Sequence, residues 1–185
     1  MVNEILDNVK DRMEKSLANL QKEFSAIRTG RANPAMFEAL KIDVYGSEMP
    51  LNQVATISIP EPRLVVIQPW DKGNLANIEK SILKSDLSLN PSNDGNLIRI
   101  QIPDLTEERR KEYVKHAKQK AEECKVSVRN IRRDGNEMIK SLEKDKEISE
   151  DESKTHQDHV QKLTDKFVDD IQKLTENKEK EILSI

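Results

Sequence analysis

Apolar residues recur through residues 3–28 at Ile5, Val9, Met13, Leu17, Leu20, Phe24 and Ile27. Steps of three or four track one face of an α-helix. At about 1.5 Å per residue that helix is roughly 39 Å long. A second stripe follows Pro103: Tyr113, Ala117, Ala121, Cys124, Val128, Ile131, Gly135, Met138 and Leu142. Its steps alternate four and three for most of their length, a heptad seam. Thr106 stands where an N-cap belongs, and Glu107 and Glu108 suit the positive end of the helix dipole. A third helix is announced by Ser149-Glu150-Asp151-Glu152, the pattern of a capping box. Its stripe is Val160, Leu163, Phe167, Ile171, Leu174 and Ile182. No one of these helices buries its stripe alone. Three together do so as an antiparallel bundle.

The middle of the chain obeys a different rule. All seven prolines (34, 50, 60, 62, 69, 91 and 103) and four of the five glycines (30, 46, 73 and 95) fall there. Inside a helix, proline costs about 3 kcal/mol and glycine about 1 kcal/mol. The outer parts are therefore free to be helical and the middle is not. Lys41–Tyr45 and Leu97–Ile102 alternate apolar and polar positions, and Val54–Ile59 and Arg63–Gln68 are rich in β-branched residues, so four strands are predicted. Asn74–Lys84 carries Leu75, Ile78, Ile82 and Leu83, which predicts one short amphipathic helix. Pro60, Pro62, Pro69 and Pro91 are expected at turns.

The predicted fold class is α+β: an elongated antiparallel three-helix bundle, residues 1–29 plus 105–185, with a small α/β domain, residues 32–103, inserted into it. Two connections join the domains, with hinges expected at Thr29-Gly30-Arg31 and Pro103-Asp104-Leu105. Glycine tolerates backbone angles that other residues avoid, so Gly30 is read either as a pivot or as a plain helix C-cap.

Composition supports slender helices over a wide core. Charged residues make up 35% of the chain and aromatic residues 3%. No apolar run approaches the roughly 20 residues that span a bilayer. The first ten residues include Glu4 and Asp7 and lack an apolar core, so no secretory signal is read. Cys124 is the single cysteine, which excludes an internal disulfide and fits a reducing compartment. A cytoplasmic location is expected.

Net charge is −3, which argues against a chain that is basic throughout. The distribution changes that picture. Residues 109–133 hold ten Lys and Arg against three Glu, and 124–133 hold no acid at all. Lys118, Lys125, Arg129 and Arg132 form a stripe one position away from the seam, with Arg133 beside them. Guanidinium groups bind phosphate with two prongs and stack on bases. A nucleic-acid partner would dock here, RNA more readily than DNA, because a smooth rod offers no element for the major groove. The plainer alternative is a solvated face with ion pairs to Glu122 and Glu123.

Catalytic signals are nearly absent. There is no phosphate-binding glycine loop, no Cys-x-x-Cys, no nucleophile elbow and no His-Glu-x-x-His. His156 and His159 stand three apart but lack further ligands, so solvated histidines are expected and no metal. Cys124 lies on the seam and reads as an inert buried thiol. Trp70, the single tryptophan, is expected to pack over a sheet edge unless it is an exposed contact residue. A helical adaptor protein is the second reading, which predicts a continuous exposed apolar seam and dimerisation. An enzyme is a poor third.

Several segments together resemble one family. Ile27-Arg28-Thr29-Gly30-Arg31-Ala32-Asn33-Pro34 is similar to its first hinge. Leu89-Asn90-Pro91 and Leu105-Thr106-Glu107-Glu108-Arg109-Arg110 resemble the entry to its second helix. Val128-Arg129-Asn130-Ile131-Arg132-Arg133-Asp134 resembles its basic signature. Asp145-Lys146-Glu147-Ile148-Ser149-Glu150-Asp151 and Gln161-Lys162-Leu163-Thr164-Asp165 resemble its third helix and the turn before it. The family is the ribosome recycling factors of bacterial type. The resemblance implies an L-shaped molecule whose bundle contacts large-subunit ribosomal RNA and whose β/α/β arm faces elongation factor G. It implies action after termination, when the factor and elongation factor G with GTP split the ribosome. It implies no catalysis, no cofactor, no DNA or membrane partner, and a monomer. RNA contact is carried over to Arg129, Arg132 and Arg133, with Lys125 beside them, and further to Arg110, Arg28 and Arg31.

Overall fold

The computed structural model describes residues 1–38 and 40–184. The chain divides into two compact units: Met1–Ile27 with Glu107–Ser184, and Arg28–Thr106.

The first unit is three helices: α1 (Val2–Ser25), α4 (Glu107–Lys144) and α5 (Glu150–Leu183). Their lengths of 24, 38 and 34 residues correspond to about 36, 57 and 51 Å. Side-chain pairs fix the directions. Arg12 meets Asp134 while Glu23 meets Lys120, so α1 and α4 run antiparallel. Lys118 meets Glu179 while Arg132 meets Gln161, so α4 and α5 do too. The core joins Val9, Met13, Leu20 and Phe24 of α1 to the α4 seam and to Val160, Phe167, Ile171 and Ile182 of α5. Each such side chain contributes roughly 1.5–3 kcal/mol when taken from water.

The caps explain the helix limits. At the start of α5, Ser149 Oγ accepts from the Glu152 backbone N–H at 3.2 Å, and the Glu152 carboxylate accepts from the Ser149 N–H at 2.8 Å. α1 stops at Ser25, before the expected residue 28, because Ala26 and Ile27 donate to Glu23 and Phe24 and tighten the chain into a final turn. Gly30 lies beyond that turn with φ +76°, so it is not the cap of α1.

The heptad reading of α4 fails near its end. Met138 is exposed and Ile139 is fully buried in its place. A helix of 3.6 residues per turn drifts against a seven-residue repeat, and a second step of four corrects the drift. Thr164 and Thr175 also lie in the core of α5. Their hydroxyls donate to the Val160 and Ile171 carbonyls at 2.8 and 2.7 Å, which removes the penalty of burial.

The second unit is an antiparallel sheet with a helix and a hairpin. β3 (Ala55–Glu61), β4 (Leu64–Pro69), β6 (Ile98–Gln101) and β5 (Pro91–Asn93) form the sheet in that spatial order. β1 (Lys41–Val44) and β2 (Ser47–Pro50) form the hairpin. α3 (Leu75–Lys84) packs against β1 and β5, and a short α2 (Ala35–Glu38) places Phe37 in the core. Val65, Ile67, Ile98 and Ile100 point inward from the two central strands onto Ile78 and Ile82 of α3. Leu83, expected on that face, is 58% exposed, since it sits a further 100° round the helix from Ile82.

The prolines are less disruptive than their sequence positions suggest. Of the four expected at turns, Pro60 lies within β3, Pro91 opens β5 and Pro69 ends β4, while Pro62 sits in a turn as expected. β3 and β5 are the edge strands, and β3 is irregular between Ser58 and Glu61. An edge, a bulge and a strand end each have N–H positions that no neighbour requires. β2, Ser47-Glu48-Met49-Pro50, lacks apolar alternation, and β5 and α2, of three and four residues, show no periodic signal.

Candidate nucleic-acid interface

The seam of α4 faces the core, and its two flanks face α1 and α5. On the α1 flank, Lys120 pairs with Glu23 and Glu123 at 3.5 and 3.2 Å. Further along, Ser127 shares a hydrogen bond with Ser16, and Arg12 pairs with Asp134 at 2.7 Å. The charges on this flank are matched.

The α5 flank differs. Lys118 is neutralised by Glu179 at 3.1 Å. Lys125 donates instead to the side-chain oxygen of Gln172 at 2.9 Å, and Arg132 to that of Gln161 at 3.2 Å. Both partners are neutral amides. They orient the two cations without cancelling their charge. Each amide is held in turn, Gln172 by Glu176 and Gln161 by Asp165.

Arg129 and Arg133 sit one turn apart on the outward face between the flanks, and both are exposed. Arg129 reaches Glu122 at 3.4 Å, with the two side chains 45% and 61% exposed. A pair that open to water is worth at most about 1 kcal/mol and yields to a better anion. Arg133 has no ion pair or hydrogen bond among the described residues. Lys125, Arg129, Arg132 and Arg133 are thus gathered within about two turns of one rigid helix with little local compensation. Such a surface can hold several phosphates at once.

The remaining sequence-predicted residues lie elsewhere. Arg110 is half-buried in the first turn of α4, beside Glu107. It stands 19 positions before Arg129, about 29 Å along the axis. Arg28 and Arg31 belong to the second unit. Arg28 donates to the carbonyls of Asp86 and Leu87 at 3.2 and 2.8 Å, and Arg31 is exposed. Gln161 and Gln172 were not anticipated as partners. A signal for the first existed: α4 and α5 reverse around Glu147, and Arg132 and Gln161 stand nearly equally far from it.

Burial first, and then the Glu23 charge, push the Cys124 thiol up to about 11, away from a reactive thiolate. No group of three or more potential metal ligands occurs among the described residues. Among them, too, no helix is long and apolar enough to cross a membrane. Trp70 does not pack over the sheet; it is 66% exposed.

A family model described as "Ribosome recycling factor" matches residues 20–183. The chain belongs to the ribosome recycling factor family. A ribosome-recycling factor of Carboxydothermus hydrogenoformans is 60% identical over 185 residues, all of both chains. One from Syntrophomonas wolfei is 54% identical over the same span. A solution structure of the ribosome recycling factor superposes with a TM-score of 0.81 at 44% identity, covering 100% of this chain and 98% of that one. A second solved structure has a TM-score of 0.68 at 47% identity and full coverage of both chains. It represents the Thermus thermophilus recycling factor and the Escherichia coli elongation factor G bound to the E. coli post-termination complex. Family membership and the α+β fold expected from the sequence are both borne out.

Proposed function

We infer that this chain recycles ribosomes after termination. It binds the large subunit of the post-termination ribosome and, with elongation factor G and GTP, promotes dissociation into subunits. The observation that carries this reading is full-length similarity, at 47% identity, to a factor solved on a post-termination complex together with elongation factor G. The chain performs no catalysis and needs no cofactor; GTP hydrolysis belongs to elongation factor G. It works as a monomer in the cytoplasm.

Within this reading the α4 surface is the RNA anchor. Arg129 and Arg133 take phosphates directly. Arg132 and Lys125, oriented by their glutamines, extend the contact along the α5 flank. Arg110, Arg28 and Arg31 are further contacts outside this cluster. A stiff helical rod transmits a push that a flexible segment would absorb.

The joint is assigned to residues 29–31 and 103–105. Support comes from how the segments are held on the second unit. Ala32 and Ile102 donate to Pro62 and Arg63 carbonyls at 2.7 and 2.8 Å, and Arg63 pairs with Asp104. The bonds at Ala32 and Ile102 bound the joint on the side of the second unit, and Gly30, with φ +76°, is its most permissive residue. Elongation factor G pushes the α/β unit about this joint while the bundle remains anchored.

The test is a splitting assay followed by light scattering. Post-termination ribosomes, elongation factor G and GTP should lose scattering rapidly when the chain is added. Scattering that stays level with and without the chain would contradict the reading.

A further inference from the structure

Cations that reach across the bundle from one helix to another meet two kinds of partner. Arg12, Lys118 and Lys120 end on carboxylates, those of Asp134, Glu179 and Glu23, at 2.7, 3.1 and 3.5 Å. Lys125 and Arg132 end on the amides of Gln172 and Gln161, at 2.9 and 3.2 Å. Glutamate has the size and shape of glutamine, and its carboxylate would tie either cation more firmly. Packing therefore does not select the amide. Both amides stand where charge matters, on the flank beside the exposed Arg129 and Arg133.

The amides are also held from behind. Gln161 Nε2 donates to Asp165 Oδ1 at 2.8 Å, and Gln172 Nε2 to Glu176 Oε1 at 3.0 Å, each one turn along α5. With its NH2 group committed to a carboxylate, each amide presents its oxygen to the cation; a flipped amide would aim an N–H at a positive charge. The order cation, amide, carboxylate thus occurs twice. It keeps the negative charge one side chain away and leaves the cation's own charge unpaired. The constraint matters most for arginine. A lysine ammonium turns freely on a flexible stem, while guanidinium grips phosphate through a planar fork that must face its target. Arg132 is half-buried and engages Gln161 through Nη1, and its other guanidinium donors have no protein partner among the described residues.

Resting on the recycling reading, we propose that Gln161 is a positioning residue for ribosomal RNA, and that its neutrality is what the site requires. Through Nη1 it fixes the plane of the Arg132 guanidinium, and being uncharged it leaves the full positive charge for a phosphate. A glutamate at this position would hold the same arginine and cancel it. Asp165 completes the arrangement by fixing the amide, and its carboxylate repels phosphate from α5, so that the RNA chain runs over α4 toward Arg129 and Arg133.

The test compares large-subunit binding across a range of salt concentrations for the unmodified chain, Gln161→Glu and Gln161→Ala. Gln161→Glu should lose about 0.7–0.9 from the log–log salt slope, the share of one phosphate. That slope makes its binding about five- to eightfold weaker at about 0.1 M salt, with the two lines meeting near about 1 M. Its urea midpoint should stay level or rise, because an ion pair replaces a neutral bond. Gln161→Ala keeps the Arg132 charge and loses its alignment. Its slope should match that of the unmodified chain, with affinity lower by about two- to tenfold at every salt concentration, the cost of immobilising a freed side chain. Affinity and slope unchanged in Gln161→Glu would overturn the proposal. So would equal slope losses for Glu and Ala, or a Gln161→Glu urea midpoint that falls along with binding, since either makes the glutamine a packing residue. An unmodified chain that does not bind large subunits, or binds them without salt dependence, would overturn the reading on which the proposal rests, and the proposal with it.

Discussion

Val9 of α1 packs over Gly135 of α4 so closely that a Cβ at position 135 would lie 2.7 Å from Val9 Cγ2. Both residues are buried in the bundle core. The glycine is the clearance that lets these two helices meet at this point.

Gly135→Ala is therefore expected to destabilise the chain. The gain in helix propensity is about 1 kcal/mol, while forcing a methyl group into a filled core costs about 1–3 kcal/mol. A net loss near 1 kcal/mol should appear in urea unfolding. Adding Val9→Ala should relieve the clash, so the double variant should lose less than the two single changes summed. Gly135→Ala alone raising stability would show that the helices can separate without penalty.

Gly30 presents the opposite situation. A Cβ there would meet Leu105 Cγ at 3.6 Å, an ordinary contact, but the backbone has φ +76°. Gly30→Ala should cost about 1–2 kcal/mol through the left-handed backbone alone. Gly30→Asn should be milder, because asparagine tolerates that region. Equal losses for Ala and Asn would point to packing in place of conformation.

The turn before β6 yields a pH prediction. Asp94 accepts from the Leu97 and Asn96 N–H groups and pairs with Arg99 at 2.6 Å. These contacts, the Leu97 bond foremost, lower its carboxyl from 3.8 to about 2. A depressed folded-state pKa adds stability above the ordinary aspartate range and loses it as pH falls toward the lowered value. Between pH of about 4 and about 2 the unmodified chain should lose more stability than Asp94→Asn, so that their difference shrinks. Parallel curves would show that Asp94 contributes nothing through its charge.

Tyr45 separates strain from hydrogen bonding. Tyr45→Phe removes the bond to Asp71 and keeps the positive φ. Tyr45→Asn loses the bond and fits the turn. The asparagine variant should be the more stable of the two by about 1 kcal/mol in thermal unfolding. A more stable phenylalanine variant would mean that the ring packs on its own unit.

The helices and central strands were legible because burial imposes a period on sequence. Val9, Met13 and Leu20, or Val65 and Ile67, repeat at the spacing their element requires. Other elements leave no such trace: β2, Ser47-Glu48-Met49-Pro50, has no apolar alternation, and β5 is three residues long and opens on Pro91. Met138 and Ile139 exchange roles because heptad counting ignores helical drift over 38 residues. At the candidate interface, position and charge could be read from Lys125, Arg129, Arg132 and Arg133. Their partners could not, since neutral glutamines on α5 carry no charge pattern to search for. Tyr45 and Trp70 were hidden for a related reason: an aromatic residue near a strand looks the same in sequence whether it packs or protrudes.

The central claim is that guanidinium groups on the outward face of α4 hold ribosomal RNA. It is tested most directly by the salt dependence of large-subunit binding for the unmodified chain and an Arg129→Ala/Arg133→Ala variant. Both residues are exposed, so the variant should fold as before. It should bind more weakly and lose about 0.7–0.9 from its log–log salt slope for each phosphate released. Equal affinity and an equal slope for the two proteins would contradict the account.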